Sequence, residues 1–241
     1  MPSLRRVALL LPLLAAALAA GAFARAARDG DPPATAPPRP PVTERQPAAP
    51  APTPTPRRPA PAPRERIRWR RSVALGDPAA GRLIRGVRLP AAGEHFFTWD
   101  PVKRRSPNRW WRRYGTDRLV RMVLQVGQEY SAAHPGAPRM AVGDLSRPRG
   151  GNFGPQFGYI GHASHQNGLD VDIYYPRADG RERAPRYASQ IDRALSQELV
   201  DRFAAKGADV VFVGPNTGLG GPPGVVQTLV NHDNHLHVRI R

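Results

Sequence analysis

A chain of 241 residues with 36 Lys and Arg against 19 Asp and Glu carries a net charge of +17 and has no cysteine. The missing thiols exclude a disulfide scaffold, a cysteine nucleophile and any Cys-ligated metal, so a bound metal must be held by His and carboxylate. The charge predicts an anionic partner, either nucleic acid or an anionic surface.

Residues 1–26, MPSLRRVALLLPLLAAALAAGAFARA, have the parts of a secretory signal. Arg5 and Arg6 form the charged start, Val7 to about Ala20 the apolar run, and Ala22-Phe23-Ala24 a small-residue cleavage site. Left uncleaved, residues 7–22 would act as a membrane tether, although the run is short of the about 20 residues of a full span. Either way the rest of the chain is expected to be exported, to the periplasm or cell envelope. Residues 27–80 are expected to form a spacer, because residues 31–65 alone hold 14 of the 29 prolines. Proline fixes φ and removes backbone donors, and little here can bury apolar area, so the stretch reads as extended polyproline. RERIRWRR at 64–71 and KRRSPNRWWRR at 103–113 interleave Arg with Trp, a pattern suited to phosphates and stacked bases. Export favours an anionic envelope surface, phospholipid headgroups or acidic wall polymers, over nucleic acid.

Residues 81–241 are long enough to build one core. GTDRLVRMVLQVGQEYSAAH at 115–134 predicts a helix capped by Thr116, with Leu119, Met122, Val123, Val126 and Tyr130 on one stripe. MAVGDL at 140–145 predicts a short strand, followed by a glycine-rich loop, and LDVDIYY at 169–175 another strand. A second helix fits SQIDRALSQELVDRFAAKG at 189–207, with Ile191, Leu195, Leu199 and Phe203 inward and Gly207 ending it. ADVVFVG at 208–214 and HLHVRIR at 235–241 complete the strands. This order predicts an α+β fold, a mostly antiparallel sheet with flanking helices and long loops.

Five of the seven histidines lie in two stretches, GHASHQNGLDVDI at 161–173 and NHDNHLHVRI at 231–240. Side chains two apart on a strand share a face, so His235, His237 and Arg239 point one way and Leu236, Val238 and Ile240 the other. Gly168 permits a turn after His165, and the next strand sends Asp170 and Asp172 to one face. His165, one of these aspartates and a histidine of the last strand would give three N/O ligands and an open fourth position on the sheet face. That is the donor pattern of a catalytic zinc. Spacing alone does not choose between Asp170 and Asp172.

The two stretches resemble the penicillin-insensitive murein endopeptidases, a group allied with D-alanyl-D-alanine and lysostaphin-type zinc metallopeptidases. The family motif, His, six residues, Asp, then a distant His-x-His, falls on His165, Asp172 and the pair His235/His237. GDLSRPRGG at 143–151 resembles the family's approach to the first motif. The resemblance covers roughly residues 85–241. It implies zinc held by His165, Asp172 and His237, and a cleft lined by His162, His232 and His235.

Hydrolysis of a peptide cross-link needs a polarised carbonyl and a proton carrier. No Glu lies near either motif, so His235 is the expected general base or oxyanion donor, with His162 and His232 binding substrate carboxylate or shuttling protons. Asp170 or Asp233 would orient an imidazole from behind, and Arg149 would hold a substrate carboxylate. The expected activity is zinc-dependent cleavage of peptidoglycan peptide stems. The competing readings are a non-catalytic, basic wall-binding protein on the same fold, and a D-Ala-D-Ala carboxypeptidase or dipeptidase, which relies on a Glu that this chain lacks before His235.

Overall fold

The computed structural model describes residues 65–154 and 163–241. The leader and most of the expected spacer, residues 1–64, lie outside the described residues. Among the described residues, ten strands and two α-helices form an α+β fold, as the element order predicts. The main sheet has six strands: β4 (Phe96–Thr98), β6 (Met140–Val142), β7 (Asp170–Tyr174), β10 (His235–Arg239), β8 (Val210–Val213) and β9 (Val226–Thr228), side by side in that order. The four central strands pair antiparallel, and only the edge pairs β4–β6 and β8–β9 are parallel.

Strand alternation divides this sheet into two chemically different faces. Val171, Ile173, Leu236 and Val238 are fully buried in the core, with Val142 and Val211 from the neighbouring strands. The helices α1 (Asp117–Ala133) and α2 (Arg193–Ala205) cover that face with Leu119, Val120, Val123, Val126 and Tyr130 from α1 and Leu199, Val200 and Phe203 from α2. Thr116 caps α1 by accepting from the Leu119 amide, and Asp192 caps α2 by accepting from Leu195. Residues 189 and 190, expected inside the second helix, belong instead to a separate 3₁₀ turn (Ala188–Gln190), and the α-helix begins only after the Asp192 cap. Gly207, with φ of 85°, follows the helix in the left-handed conformation that favours glycine.

The folded unit reaches further upstream than composition suggests. β1 (Val73–Asp77) and β2 (Ala80–Ile84) form an antiparallel hairpin in register Val73↔Ile84 and Leu75↔Arg82. β1 lies within residues 27–80, where a spacer is expected. Glu65 is also engaged: its carboxylate pairs with Arg88 and Arg113 and accepts from the Ala91 amide. The two-residue strands β3 (Val87–Arg88) and β5 (Tyr114–Gly115) make a third, small sheet.

The cluster 103–113 also differs from its surface reading. Arg112 is fully buried in an ion pair with Asp144, and Arg113 is buried against the Leu89 carbonyl and Glu65. Arg109 pairs with the buried Asp100 at 2.7 Å. Three of the cluster's arginines therefore organise the fold and are not available to an external polyanion, which corrects the expectation that the whole stretch serves an anionic surface. A planar, always-charged guanidinium is the cation best suited to such a buried pair.

Candidate metal centre

The polar face of the main sheet gathers the chemistry. Across the β7–β10 pair His237 faces Asp172, Arg239 faces Asp170 and His235 faces Tyr174. His165 arrives from the preceding loop with φ of 66°, a left-handed conformation uncommon outside glycine and often found where a site dictates the backbone. Asp170 Oδ2 accepts from the His165 amide at 3.1 Å and holds that turn.

His165 Nε2, His237 Nδ1 and Asp172 Oδ1 form a nearly equilateral triangle. The edges are 3.2 Å between the two nitrogens, 3.2 Å from His165 to Asp172 and 3.1 Å from His237 to Asp172. A tetrahedral metal with N and O ligands at about 2.0–2.1 Å has ligand–ligand edges of about 3.3 Å. All three side chains are buried and form a group able to hold a metal ion.

The outer nitrogens fix the tautomers. His165 Nδ1 lies 3.1 Å from the Leu145 carbonyl, which can only accept, and His237 Nε2 lies 2.9 Å from Asp170 Oδ1. In neutral rings both outer nitrogens therefore carry the hydrogens, and both inner nitrogens present lone pairs to each other and to the Asp172 carboxylate. Three converging donors in a buried space repel unless a cation sits among them. The residues fit a metal.

Without metal, a proton takes that role. Burial would lower the His237 pKa, but hydrogen bonds to Asp170 and Asp172 overcome it and push the imidazole up to about 9. Burial likewise works against ionisation of Asp170, and the His237 hydrogen bond, His165 and Arg239 outweigh it, leaving the carboxyl at about 2. Asp172 follows the same pattern: burial raises it, the His165 and His235 charges prevail, and it stays well below the usual carboxylate range.

The Gly143–Leu145 segment that follows β6 supports both ends of this arrangement. Gly143 donates to the Asp172 carbonyl at 2.8 Å, the Asp172 amide donates to the Asp144 carbonyl at 2.9 Å, and Leu145 supplies the carbonyl for His165. A Cβ on Gly143 would stand 3.1 Å from Asp172 Cβ and 2.9 Å from the Tyr174 ring, so only glycine allows this approach without displacement. Beneath it, Asp144 is clamped by Arg112 and accepts from Asn108 at 2.8 Å. The 143–151 stretch thus has a specific physical task, and Arg112, Asn108 and Asp144 are supports that sequence spacing does not reveal.

His235 lies beside the triangle, its Nε2 3.8 Å from Asp172 Oδ1. Its Nδ1 lies 2.6 Å from Asn234 Oδ1, and its ring is 4.7 Å from His232 and 5.6 Å from Tyr174. His232 is held through Nδ1 to the Val230 carbonyl at 2.8 Å. All three rings line a cleft of about 1080 Å³ over the triangle, together with Trp99, Tyr187 and Arg186. Asp233 turns away to Asn216, accepting from its amide at 3.0 Å and its side chain at 2.7 Å, so Asp170 is the aspartate that orients a site imidazole. Arg149 lines a different groove, among Arg66, Arg68 and Arg82. His162 lies outside the described residues.

A family model described as penicillin-insensitive murein endopeptidase matches residues 74–211, a span that includes His165 and Asp172 and stops before His235 and His237. Among similar proteins of that name, one from Haemophilus influenzae is 29% identical over 192 residues, covering 69% of this chain and 62% of the relative. One from Escherichia coli O157:H7 is 30% identical over 129 residues, covering 54% and 40%, and one from Escherichia coli O9:H4 is 30% identical over 198 residues, covering 70% and 66%. The chain thus spans less than two thirds of the length of these relatives. With the family model matching more than half of it, this chain belongs to the penicillin-insensitive murein endopeptidase family.

Proposed function

We propose that the protein is a zinc-dependent endopeptidase that hydrolyses peptide cross-links of peptidoglycan in the cell envelope, with His165, Asp172 and His237 as the metal ligands. One observation carries this reading: three buried N/O donors converge at 3.1–3.2 Å, with their lone pairs aimed inward by outer hydrogen bonds, at the floor of an open cleft. Zinc bound there supplies a Lewis acid for the scissile amide carbonyl and a hydrolytic nucleophile at neutral pH. The borderline imidazole and carboxylate set suits zinc better than Mg or Ca, which prefer all-oxygen shells.

The chain's own residues supply the rest. The contact between His235 Nδ1 and Asn234 Oδ1 places the ring hydrogen on Nδ1 and makes Nε2 the basic nitrogen facing the metal group. His235 accepts the nucleophile's proton at Nε2 and returns it to the leaving amine. Tyr174, opposite His235, keeps its hydroxyl protonated because burial and the charges of Asp144 and Asp172 raise its pKa well above the ordinary value, so it serves as a donor. His232 assists from the next position along the cleft, and His162 is assigned to the same wall by motif alone. Arg104 and Arg186 line the cleft and suit the free carboxylates of peptide stems, the role expected of Arg149 from sequence.

Purified peptidoglycan tests this reading. Release of soluble muropeptides should cease with chelator and return with about one equivalent of zinc per chain. Retention on peptidoglycan with no release in the zinc-loaded state would instead favour the non-catalytic wall-binding reading.

A further inference from the structure

We propose that the β1–β2 hairpin and the segment before it form a docking face for an anionic lipid bilayer. The groove that marks this face shares no lining residue with the metal cleft, and the proposal deepens the envelope-surface reading of the protein's charge. A groove of about 970 Å³ is lined by Arg66, Arg68, Arg70, Arg82, Arg85 and Arg149. All six are exposed, and among the described residues none of them pairs with an acidic side chain. The groove's one carboxylate, Glu65, is already committed to Arg88 and Arg113. Six unneutralised guanidiniums around one depression select a partner bearing many phosphates or carboxylates.

The apolar side chains on the same element narrow the class of partner. Directly paired residues project from the same side of an antiparallel ladder, so Val73, Leu75, Arg82 and Ile84 share the outer face of the hairpin. Val73 is 39% exposed, Leu75 48% and Ile84 41%, large for aliphatic side chains on a strand. Four residues upstream of Val73, Trp69 is 40% exposed and has the Arg121 guanidinium 4.1 Å from its ring centre. An acidic wall polymer or a nucleic acid backbone satisfies the arginines but offers nothing to exposed Val, Leu and Ile. A bilayer interface satisfies both, taking Trp and aliphatic side chains at headgroup depth and arginines against phosphates. The hairpin turn also touches the metal site. The Pro78 carbonyl accepts from Gln166, the residue after His165, at 2.9 Å, and Asp77 and Ala79 line the metal cleft. A chain docked through the outer face of the hairpin would hold its cleft close to the membrane surface.

Cosedimentation of the full chain with vesicles tests the proposal. Vesicles of phosphatidylcholine alone are compared with vesicles containing about 30% phosphatidylglycerol at about 0.1 M and about 0.5 M salt, and the neutral vesicles account for any contribution of the apolar leader. The anionic vesicles should bind at least about tenfold more tightly at low salt, since each basic residue near such a surface strengthens binding by roughly fivefold. The pair Arg66→Glu and Arg82→Glu should remove that advantage. Leu75→Thr with Ile84→Thr, which keeps strand-forming residues, should reduce it about fivefold or more, on the scale of buried methylenes. Equal binding to both vesicle types overturns the proposal. So does a threonine pair that binds like the parent, because charge alone would then explain retention. Lipid-free peptidoglycan or duplex DNA that retains the chain with the same dependence on both pairs also overturns it. Hydrolysis of soluble muropeptides by the parent chain is scored in parallel: a parent that hydrolyses them but shows no preference for anionic vesicles refutes the docking face alone, whereas a parent that docks without hydrolysing supports the face and refutes only the peptidase reading.

Discussion

Asp172 and His237 stand opposite each other across the β7–β10 pair, Oδ1 and Nδ1 3.1 Å apart, while Asp170 sits behind His237 with Oδ1 2.9 Å from Nε2. Two aspartates on one strand face therefore take different tasks: Asp172 contributes an oxygen to the donor triangle, and Asp170 orients the imidazole that completes it. Asp172→Ala should abolish zinc retention through dialysis, because three ligands leave no redundancy. Asp170→Asn should retain the site but weaken zinc by about 10- to 100-fold, the usual effect of removing the partner behind a ligating histidine. Metal content by emission spectroscopy and a competition titration check both. Full retention by the Asp172 variant with loss in the Asp170 variant would reverse the assignment.

His235 lies beside the donor triangle but is not part of it. His235→Ala should keep close to one zinc per chain and lose about two to four orders of magnitude in turnover of cross-linked muropeptides. Zinc loss in this variant would instead make His235 a ligand.

The metal-free protein should show a pH-dependent stability that zinc removes. His237 is raised above its ordinary 6.5 to about 9 in the folded chain, so its contribution is fully present below about 6.5 and disappears as pH rises through about 9. Asp170, depressed from 3.8 to about 2, contributes above about 3.8 and loses that contribution as pH falls through about 2. Chemical denaturation of chelator-treated protein should therefore show declining stability from pH 6.5 to 9, and His237→Gln should flatten that limb. With zinc bound the proton on His237 is displaced, so zinc uptake at neutral pH should release protons, measurable in weakly buffered dye.

Arg112 and Asp144 form a fully buried ion pair beneath the Gly143–Leu145 segment. Removing one partner strands the other charge, so Arg112→Met should cost about 3–5 kcal/mol of stability. The segment aligns Asp172 and His165, so zinc affinity should fall with it. Denaturant midpoints and zinc titration measure the two effects. Unchanged values in both would make the pair incidental.

Much of this site was legible in the sequence because strand alternation is a local rule. The pattern of HLHVRIR alone predicts His235, His237 and Arg239 on one face, and LDVDIYY does the same for Asp170 and Asp172. Which aspartate meets which histidine is not local: it depends on the β7–β10 register, His237↔Asp172 and Arg239↔Asp170. The Arg112–Asp144 support was hidden for a related reason. A guanidinium in a stretch with six basic residues reads as surface charge until its partner, 32 positions away, is brought beneath it. The β1–β2 hairpin was obscured by its neighbours, since the proline-rich composition to about residue 65 and the arginines of 64–71 mask a two-strand alternation of only five residues each. Arg149 shows the limit of motif proximity: it lies two residues before Gly151 in the stretch leading to His165, yet its side chain belongs to the arginine groove.

The most direct test of the central claim is mass analysis of purified, cross-linked muropeptide dimers after incubation with zinc-loaded protein. Conversion of dimers to two monomers, each of intact stem length and one water heavier in sum, is the predicted result. It should vanish with chelator and in His165→Ala. Dimers that survive intact, or that lose only a terminal alanine, would contradict the endopeptidase account, the second outcome pointing to a carboxypeptidase at the same donor triangle.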